Sequence, residues 1–433
     1  MDNITIAIIF IIIMLILMLL RMPIAFTMGL VGFVGTIYVL SFNAALQMLG
    51  TTIFRQFSSF GLAVIPLFVF MGALAFRTGI SGRLYDVAYT LVGHLPGGIA
   101  GTTILASAAF SAICGSNSAT TAAMGKISLP VFKKYNYQPL LYTGTVAGGG
   151  SLGIIIPPSV ALIVIAVQTE QSIIRLFIAS LVPGLILTGL FLLSILILCL
   201  RYPELGPRGP KTSLKAKLLS ITGLTETFLL FMLVIGGMYA GWFTPNEAGA
   251  VGSFGAIVIG LVRRTLSLNA LLQAAEDTIR VASMAVLLIT TAVLFSRFLT
   301  ASRLPFFLAE WVSQLPLSPL IVLAVILFIY LVGGCIMDGL GFLVASIPIT
   351  FPVALALGYD PVWFTVILTL VTSIGAITPP VGINVYIVSS FAPDVPIQTV
   401  FKGAFIFLIA YFVIIVMVIF FPQLALFLPN MLM

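Results

Sequence analysis

Ser116, Asn117 and Ser118 follow Cys114-Gly115 and precede Thr120-Thr121, so hydroxyls and one amide stand in a row. The flanks, TILASAAFSAI and KISLPVF, are largely apolar. These side chains offer oxygens, and Asn117 also offers N–H donors. Neutral oxygens suit a hard cation such as sodium. A second chemistry lies in the backbone of GGGSLGIIIPPS (Gly148–Ser159) and TSIGAITPPVGIN (Thr372–Asn384). Paired prolines inside a span remove two amide donors and clash with the preceding turn, so the helix must break. The freed carbonyls need partners. The C-terminal end of a half-helix is partly negative and takes a cation, and the N-terminus of the next offers N–H groups to an anion.

The elements that position these groups lie in a membrane. The chain has 433 residues, of which 61% are hydrophobic and 7% charged. Its mean hydropathy is +1.25. That composition predicts an all-α polytopic membrane protein. Runs such as IAIIFIIIMLILMLL, LILTGLFLLSILILCL and IFLIAYFVIIVMVIFF approach the ~20 residues a crossing helix needs, where a transmembrane barrel would alternate in short strands. The net charge of +7 does not point to nucleic acid, because the basic residues sit in short loops between spans, as membrane topology requires. Cys114, Cys199 and Cys335 form no CxxC pair, so neither a zinc site nor a disulfide framework follows. His94 precedes Leu95-Pro96 at a helix end and reads as an interfacial or packing residue. The start, MDNITIAIIF, has no basic region of the kind a cleaved signal carries and reads as the first span.

The sequence is written twice. At a shift of 222 residues Pro23 meets Pro245, Pro130 meets Pro352, Tyr137 meets Tyr359, Pro139 meets Pro361, Ser151 meets Ser373, Gly153 meets Gly375 and Pro157-Pro158 meets Pro379-Pro380. Prolines mark backbone breaks, so their agreement in one register carries weight that matching leucines would not. The copies are residues 1–200 and 221–433, joined by a basic linker at 201–220 with Arg201, Arg208, Lys211, Lys215 and Lys217, placed in the cytoplasm. Arg21 of copy one has the uncharged-to-acidic Gly241–Gly249 as its counterpart. Arg263-Arg264 of copy two face Ser41-Phe42 of copy one. Lys126, Lys133 and Lys134 face Pro348, Leu355 and Ala356. Basic residues that swap sides between equivalent loops predict two inverted-topology repeats. Arg77 and Arg83 fit less well, since Arg297 and Arg303 occupy similar places. Five crossings per copy give about ten transmembrane helices, with both termini outside the cytoplasm.

Within each copy two plain spans, a third span (Leu62–Phe76 in copy one) and a connecting helix precede the polar-tipped segment. That segment is too long for one helix and too polar at its centre to face lipid, so it predicts a re-entrant helical hairpin, about 99–132 in copy one and about 320–352 in copy two. The broken helices follow at about 140–167 and 362–391. One sodium is expected per repeat. The first would use Ser116, Asn117 and carbonyls at Gly149 and Gly153. The second would use Gly334, Gly375, the Thr378 hydroxyl and Asp338. An anionic substrate would lie between the tips, near Ser116, Asn117, Ser118, Pro158 and Pro380.

Plainer roles compete with these. Small residues let membrane helices approach closely, which suffices for Gly29, Gly32 and Gly35. Asp338 is functional by default as an intramembrane acid, or it caps a hairpin end. Cys114 and Cys335 read as small filler, and Glu226, Glu247 and Glu310 as interfacial. Trp242, Trp311 and Trp363 lie near span ends, as an aromatic belt would.

SSFGLAVIPLFVFMG (Ser58–Gly72), CGSNSATTAAMGKISLP, GGGSLGIIIPPS and SIGAITPPVGIN occur in this order in a chain that resembles the large membrane subunit of tripartite ATP-independent periplasmic (TRAP) transporters. The resemblance runs essentially end to end. It implies two re-entrant hairpins and an elevator mechanism, in which a mobile transport domain moves against a fixed scaffold. It further implies sodium symport of an organic acid, a carboxylate or sulfonate, across the bacterial inner membrane. A periplasmic substrate-binding protein would deliver the acid. The family's sodium sites fall on Ser116–Ser118, Gly153, Gly334, Gly375 and Thr378. The tip here reads GSNS, where many members carry a GSS-type tip with an acid further on. A small four-helix membrane subunit is implied as a separate partner, since the two repeats take up these 433 residues; membrane lipid is the other neighbour.

The rivals are a stand-alone sodium/anion symporter of the divalent-anion type, a channel and a membrane enzyme. Duplicated hairpins argue against a channel. The sequence has no HExxH, no paired catalytic carboxylates, no nucleophile–histidine pair and no Walker A motif, so an enzyme, an organic cofactor and ATP drive are not expected.

Overall fold

Residues 2–209 and 212–432 are described by a computed structural model, and every regular element among them is helical. Copy one runs α1 (Asn3–Leu19), α2 (Ile24–Val39), α3 (Phe42–Phe57), α4 (Val64–Arg77), α5 (Ile80–Val92), α6 (Gly98–Cys114), α7 (Asn117–Lys134), α8 (Pro139–Gly150), α9 (Val160–Thr169) and α10 (Ile173–Arg201). The joining stretch holds α11 (Leu214–Ile221), and copy two runs α12 (Thr225–Phe231), α13 (Gly237–Tyr239), α14 (Pro245–Val262), α15 (Leu268–Ser302), α16 (Leu304–Gln314), α17 (Pro319–Ile336), α18 (Gly339–Ala356), α19 (Pro361–Gly375), α20 (Ile383–Phe391), α21 (Ile397–Ala404), α22 (Leu408–Phe420) and α23 (Gln423–Leu432).

Some of the prolines that align the copies stand at helix starts, while Pro130 and Pro352 lie inside α7 and α18. Pro139 and Pro361 open α8 and α19, where a missing N–H costs nothing and the fixed φ is already helical. Asp360 caps α19 by accepting from Val362 N at 2.8 Å and Trp363 N at 3.0 Å. Pro245 opens α14 behind a capping box in which Thr244 and Glu247 serve each other's backbone.

Among the described residues, eight helices are long and apolar enough to cross a membrane. Asn3–Leu19 and Ile24–Val39, at 17 and 16 residues, are shorter apolar helices. The copies differ most plainly at one place. Where copy one has α3, a short 3₁₀ turn at Phe60–Ala63 and α4, copy two has the single 35-residue α15. Ser58-Ser59-Phe60-Gly61 stands opposite Arg280-Val281-Ala282-Ser283. Ser58 bonds back to the Phe54 carbonyl at 2.6 Å, a side-chain competition that ends a helix, whereas the copy-two residues continue one. The sequence left α3 unassigned between its second and third spans. α15 is about 52 Å long at 1.5 Å per residue, well beyond the ~30 Å hydrocarbon core.

Two groups of helices emerge from the packing. α2 and α4 pack on α15, and α14 packs on α4. At Gly32 a Cβ would fall 2.9 Å from the backbone nitrogen of Phe295, so the glycine serves the α2–α15 approach. The hairpin and broken helices form the second group: α6 and α7 pack on α8, α17 and α18 on α19, and α8 on α21.

Residues 205–209 of the stretch read as a linker are pinned to the helices. Gly97 N donates to Gly206 O and Gln138 N to Leu205 O, both at 3.1 Å, and Gly209 N donates to Gly93 O at 3.1 Å. Tyr137 adds a hydroxyl bond to Pro207 O at 2.7 Å. The segment therefore straps the ends of α5, α6 and α8. α11 begins inside the linker stretch at Leu214 because Ser213 caps Ala216 N. Lys211 lies outside the described residues. Arg77 and Arg83, which fitted the side-swapping pattern poorly, each have an acid: Arg77 pairs with Asp277 of α15, and Arg83 lies 3.0 Å from Glu226 of α12.

Candidate functional site

α6 stops because Gly115 turns left-handed at φ 64°, a conformation glycine adopts at no steric cost. Ser116 then caps α7. The tip so formed is seated on the first break. Gly115 O accepts from Val160 N at 3.2 Å. At Gly153 a Cβ would stand 2.5 Å from the Ser116 carbonyl oxygen, so nothing larger than glycine fits between tip and break. Asn117, 7% exposed, accepts the Ile154 N–H on its amide oxygen at 2.8 Å. The α8-to-α9 break, residues 151–159, contains Ser151–Ile154 in a 3₁₀ turn and the cis Pro157-Pro158 bond.

Copy two repeats the arrangement with other side chains. α17 ends at Ile336, and Asp338 caps α18 by accepting from Gly341 N at 3.1 Å. At Gly375 a Cβ would fall 2.2 Å from the Gly334 carbonyl, so the hairpin lies directly on the end of α19. Val381 N donates to Cys335 O at 3.1 Å. Thr378 donates to Ile374 O at 2.8 Å, leaving its oxygen lone pairs for another partner. Pro379-Pro380 is also cis.

Of the residues expected at the first cation site, the fold brings Ser116, Asn117 and Gly153 together. Gly149 has its Cβ direction against Ser107 Oγ of α6 at 2.6 Å, while that of Gly150 meets Thr121 of α7, and the Gly149 carbonyl accepts from Ser151 N. Asn117 uses its oxygen to satisfy a freed amide of the break. Of the second set, Gly334, Gly375 and Thr378 converge, while the Asp338 carboxylate serves its own helix end. The residues expected to face a substrate part company. Ser118 is exposed, and Pro158 is buried with its carbonyl against Gly115. Pro380 lines a mostly apolar cavity of about 470 Å³ with Leu331, Cys335, Thr378 and Phe412, where the one hydroxyl, that of Thr378, already donates to Ile374 O.

Among the described residues no group of three or more His, Cys, Asp or Glu side chains could hold a metal ion. An ion at either break would be held by carbonyl and hydroxyl oxygens, the donor set of a hard monovalent cation.

Sequence reasoning missed the residues that tie the breaks together. Asn384, buried, donates from Nδ2 to Ala147 O of α8 at 3.1 Å, and its backbone N donates to Ala376 O at 3.0 Å. Tyr411 of α22 donates to Ser151 Oγ at 2.6 Å. Gln168 of α9 donates to Val344 O of α18 at 2.7 Å, and Gln171 to Thr365 Oγ1 of α19 at 2.9 Å. Asn384 and Tyr411 are an amide and a phenol in mostly apolar stretches, and polar residues so placed mark function or helix–helix contact, whereas Gln168 and Gln171 stand in the polar run QTEQS at the end of α9.

Residues 11–424 match the family model described as the tripartite ATP-independent periplasmic transporter, DctM component. The chain is 35% identical over 401 residues to the C4-dicarboxylate TRAP transporter large permease protein DctM of Pseudomonas aeruginosa, covering 92% of this chain and 93% of that one. It is 32% identical to the sialic acid TRAP transporter large permease protein SiaM of Vibrio cholerae, covering 90% and 89%. The isethionate TRAP transporter permease protein DctMQ of Oleidesulfovibrio alaskensis is 32% identical, and the match spans 58% of that longer protein. The crystal structure of the Alcanivorax borkumensis YdaH transporter is similar in fold, with a TM-score of 0.65 at 17% identity over 88% of this chain and 90% of that one.

Proposed function

From the premise that the chain belongs to the DctM family of tripartite ATP-independent periplasmic transporters, and is a multi-pass membrane transporter permease, we propose that it imports an organic acid with sodium across the bacterial inner membrane. The substrate class is a carboxylate or sulfonate, the chemistry shared by the compounds that its relatives' names print. A periplasmic binding protein delivers the acid, and a small four-helix subunit packs on the group formed by α2, α4, α14 and α15. The two repeats are inverted, the hairpins re-enter the membrane from opposite sides, and the hairpin group moves as a unit against the other.

One observation carries this proposal: each break in a spanning helix is closed by a hairpin tip at glycine distance, Ser116 on Gly153 and Gly334 on Gly375. Sodium completes the coordination of carbonyls that the breaks leave without helical partners. Loading of both sites sets the tips in the geometry that admits the anion. The organic acid supplies the charge that the Ser116–Ser118 tip lacks.

Uptake into proteoliposomes tests this directly. With the small subunit present, transport of a carboxylate or sulfonate should need both an inward sodium gradient and the binding protein. Uptake driven by a proton gradient alone would refute the cation assignment. Uptake without the binding protein would identify a stand-alone sodium/anion symporter.

A further inference from the structure

Val344 stands inside α18, four residues before Pro348. In a regular helix its carbonyl would accept from the N–H of residue 348. Proline has none, and its ring pushes the carbonyl four residues back aside. The Val344 carbonyl is therefore left without its helical partner, in a residue that is fully buried. Gln168 of α9 supplies the donor: its Nε2 lies 2.7 Å from Val344 O. A carbonyl can only accept, so the amide has one orientation, and its Oε1 is left buried without a donor among the described residues. Copy one has no such bond. The position equivalent to Pro348 is Lys126, which keeps its N–H, and the position equivalent to Gln168 is Ser390, whose hydroxyl donates within its own helix to Ile387 O at 2.7 Å. α9 packs on α18 as α20 packs on α7, so the frame is duplicated and the bond is not.

We propose that Gln168 is a positioning residue that latches the copy-two hairpin, α17 and α18, in its closed form, with Pro348 as the hinge. The latch rests on the reading above of the hairpins as the transport machinery. Helices bend at proline, and Val344 lies on the tip side of Pro348, so the bond holds the half of α18 that swings with Asp338. While the latch is made, the tip rests on the second break, Gly334 against Gly375. When it is released, Val344 O and the amide of Gln168 meet water, and tip and break part. Release is reversible because the closed form is not fully satisfied: Gln168 Oε1 gains a donor only on opening, which offsets part of the bond that is lost. The asymmetry between the copies assigns opening to the second hairpin and not to the first.

The native cysteines report on it. Cys335 lies near the tip end of α17, Cys114 at the tip end of α6 and Cys199 in α10, and all three are buried. The rate at which N-ethylmaleimide labels each thiol of the purified full chain, read by peptide mass spectrometry, measures opening. Gln168→Met keeps the bulk of the side chain and removes the donor. It should raise the Cys335 rate about 10-fold, equivalent to about 1.4 kcal/mol, and leave Cys114 and Cys199 unchanged. Pro348→Ala returns an N–H to α18 for Val344 O, so adding Gln168→Met in that background should leave the Cys335 rate as it is in Pro348→Ala alone. A Cys335 rate that ignores Gln168→Met, or that rises equally in the Pro348→Ala background, overturns the latch. A rise at all three cysteines marks general loosening and overturns it as well. If Gln168→Met yields no folded protein, recovery of folding in the double variant supports the bond, and no recovery overturns it. Labelling needs neither sodium nor substrate, so a failed latch is distinguishable from a failed sodium dependence of uptake.

Discussion

Asn384 and Ala147 are joined by a buried hydrogen bond, amide Nδ2 to carbonyl oxygen at 3.1 Å, and through it the broken span of copy two holds the broken span of copy one. Its backbone N–H meanwhile satisfies Ala376 O at 3.0 Å. One residue thus serves a carbonyl on each side of the repeat boundary. Substituting Asn384→Ala should cost about 1 kcal/mol, the scale of hydrogen bonds between membrane helices. Thermal unfolding of the purified protein would measure it. Sodium-dependent uptake should fall by more than that destabilisation accounts for, because the bond fixes the relative position of the two breaks; uptake unchanged per folded molecule would contradict this.

Lys133, near the end of α7, and Asp394, between α20 and α21, form an exposed pair at 2.9 Å across the repeats. Their hydrogen bond lowers the Asp394 carboxyl below the usual aspartate range and raises the Lys133 ammonium above the usual lysine range. The carboxylate's contribution is present above the unfolded aspartate value and is lost as pH falls through the depressed one. The lysine's is present below its unfolded value and is lost as pH rises through the raised one. Asp394→Asn should therefore lower stability by a small amount that is constant from about pH 5 to about pH 9 and shrinks at high salt. Melting temperatures of the two proteins over that range provide the check, and a difference that changes sign near neutrality would rule the pair out as its source.

Glu226 stands between two arginines: it accepts from Arg263 just after α14 and forms an ion pair with Arg83 of α5 at 3.0 Å. Removing it leaves two guanidinium groups facing each other without a counter-charge. Glu226→Ala should cost about 1 kcal/mol, more than a lone surface pair because the glutamate is only 18% exposed. The double variant Glu226→Ala with Arg83→Ala should recover part of that loss. A double variant that loses the sum of both single effects would show that the three charges act independently.

The larger architecture was legible because it depends on composition and on prolines. Apolar runs specify spans whatever their neighbours do, and Pro157-Pro158 with Pro379-Pro380 specify breaks through backbone sterics alone. Both break positions and both hairpin segments follow from that local chemistry. The tie residues were not legible. Asn384 matters because of what lies opposite it, Ala147, at a sequence distance no local pattern spans. The same holds for Tyr411 against Ser151. Asn117 was singled out for its oxygen, yet which partner that oxygen meets depends on how the tip lands on Ile154. α3 escaped notice for another reason: a helix carrying Gln47, Arg55 and Gln56 in its 16 residues is too polar to read as a span, although its apolar side chains still face outward.

The glycines at the tips make the sharpest claim. Alanine at Gly153 would place its methyl 2.5 Å from the Ser116 carbonyl oxygen, and alanine at Gly375 would place its methyl 2.2 Å from the Gly334 carbonyl. In both cases the obstacle is backbone, which cannot rotate away as a side chain can, so tip and break must separate. Overpacking of this kind costs about 1–3 kcal/mol. If the cost falls on the ion-bound geometry, sodium half-saturation should rise about 10-fold or more, since about 1.4 kcal/mol is a factor of ten. Gly50→Ala provides the control: nothing lies within 4 Å of its Cβ position in α3, and alanine favours a helix over glycine by up to about 1 kcal/mol. It should leave sodium dependence untouched and raise stability slightly. Sodium titration of uptake for the three variants separates the cases. Wild-type half-saturation in both Gly153→Ala and Gly375→Ala would mean that the contact between tip and break does not form the ion site.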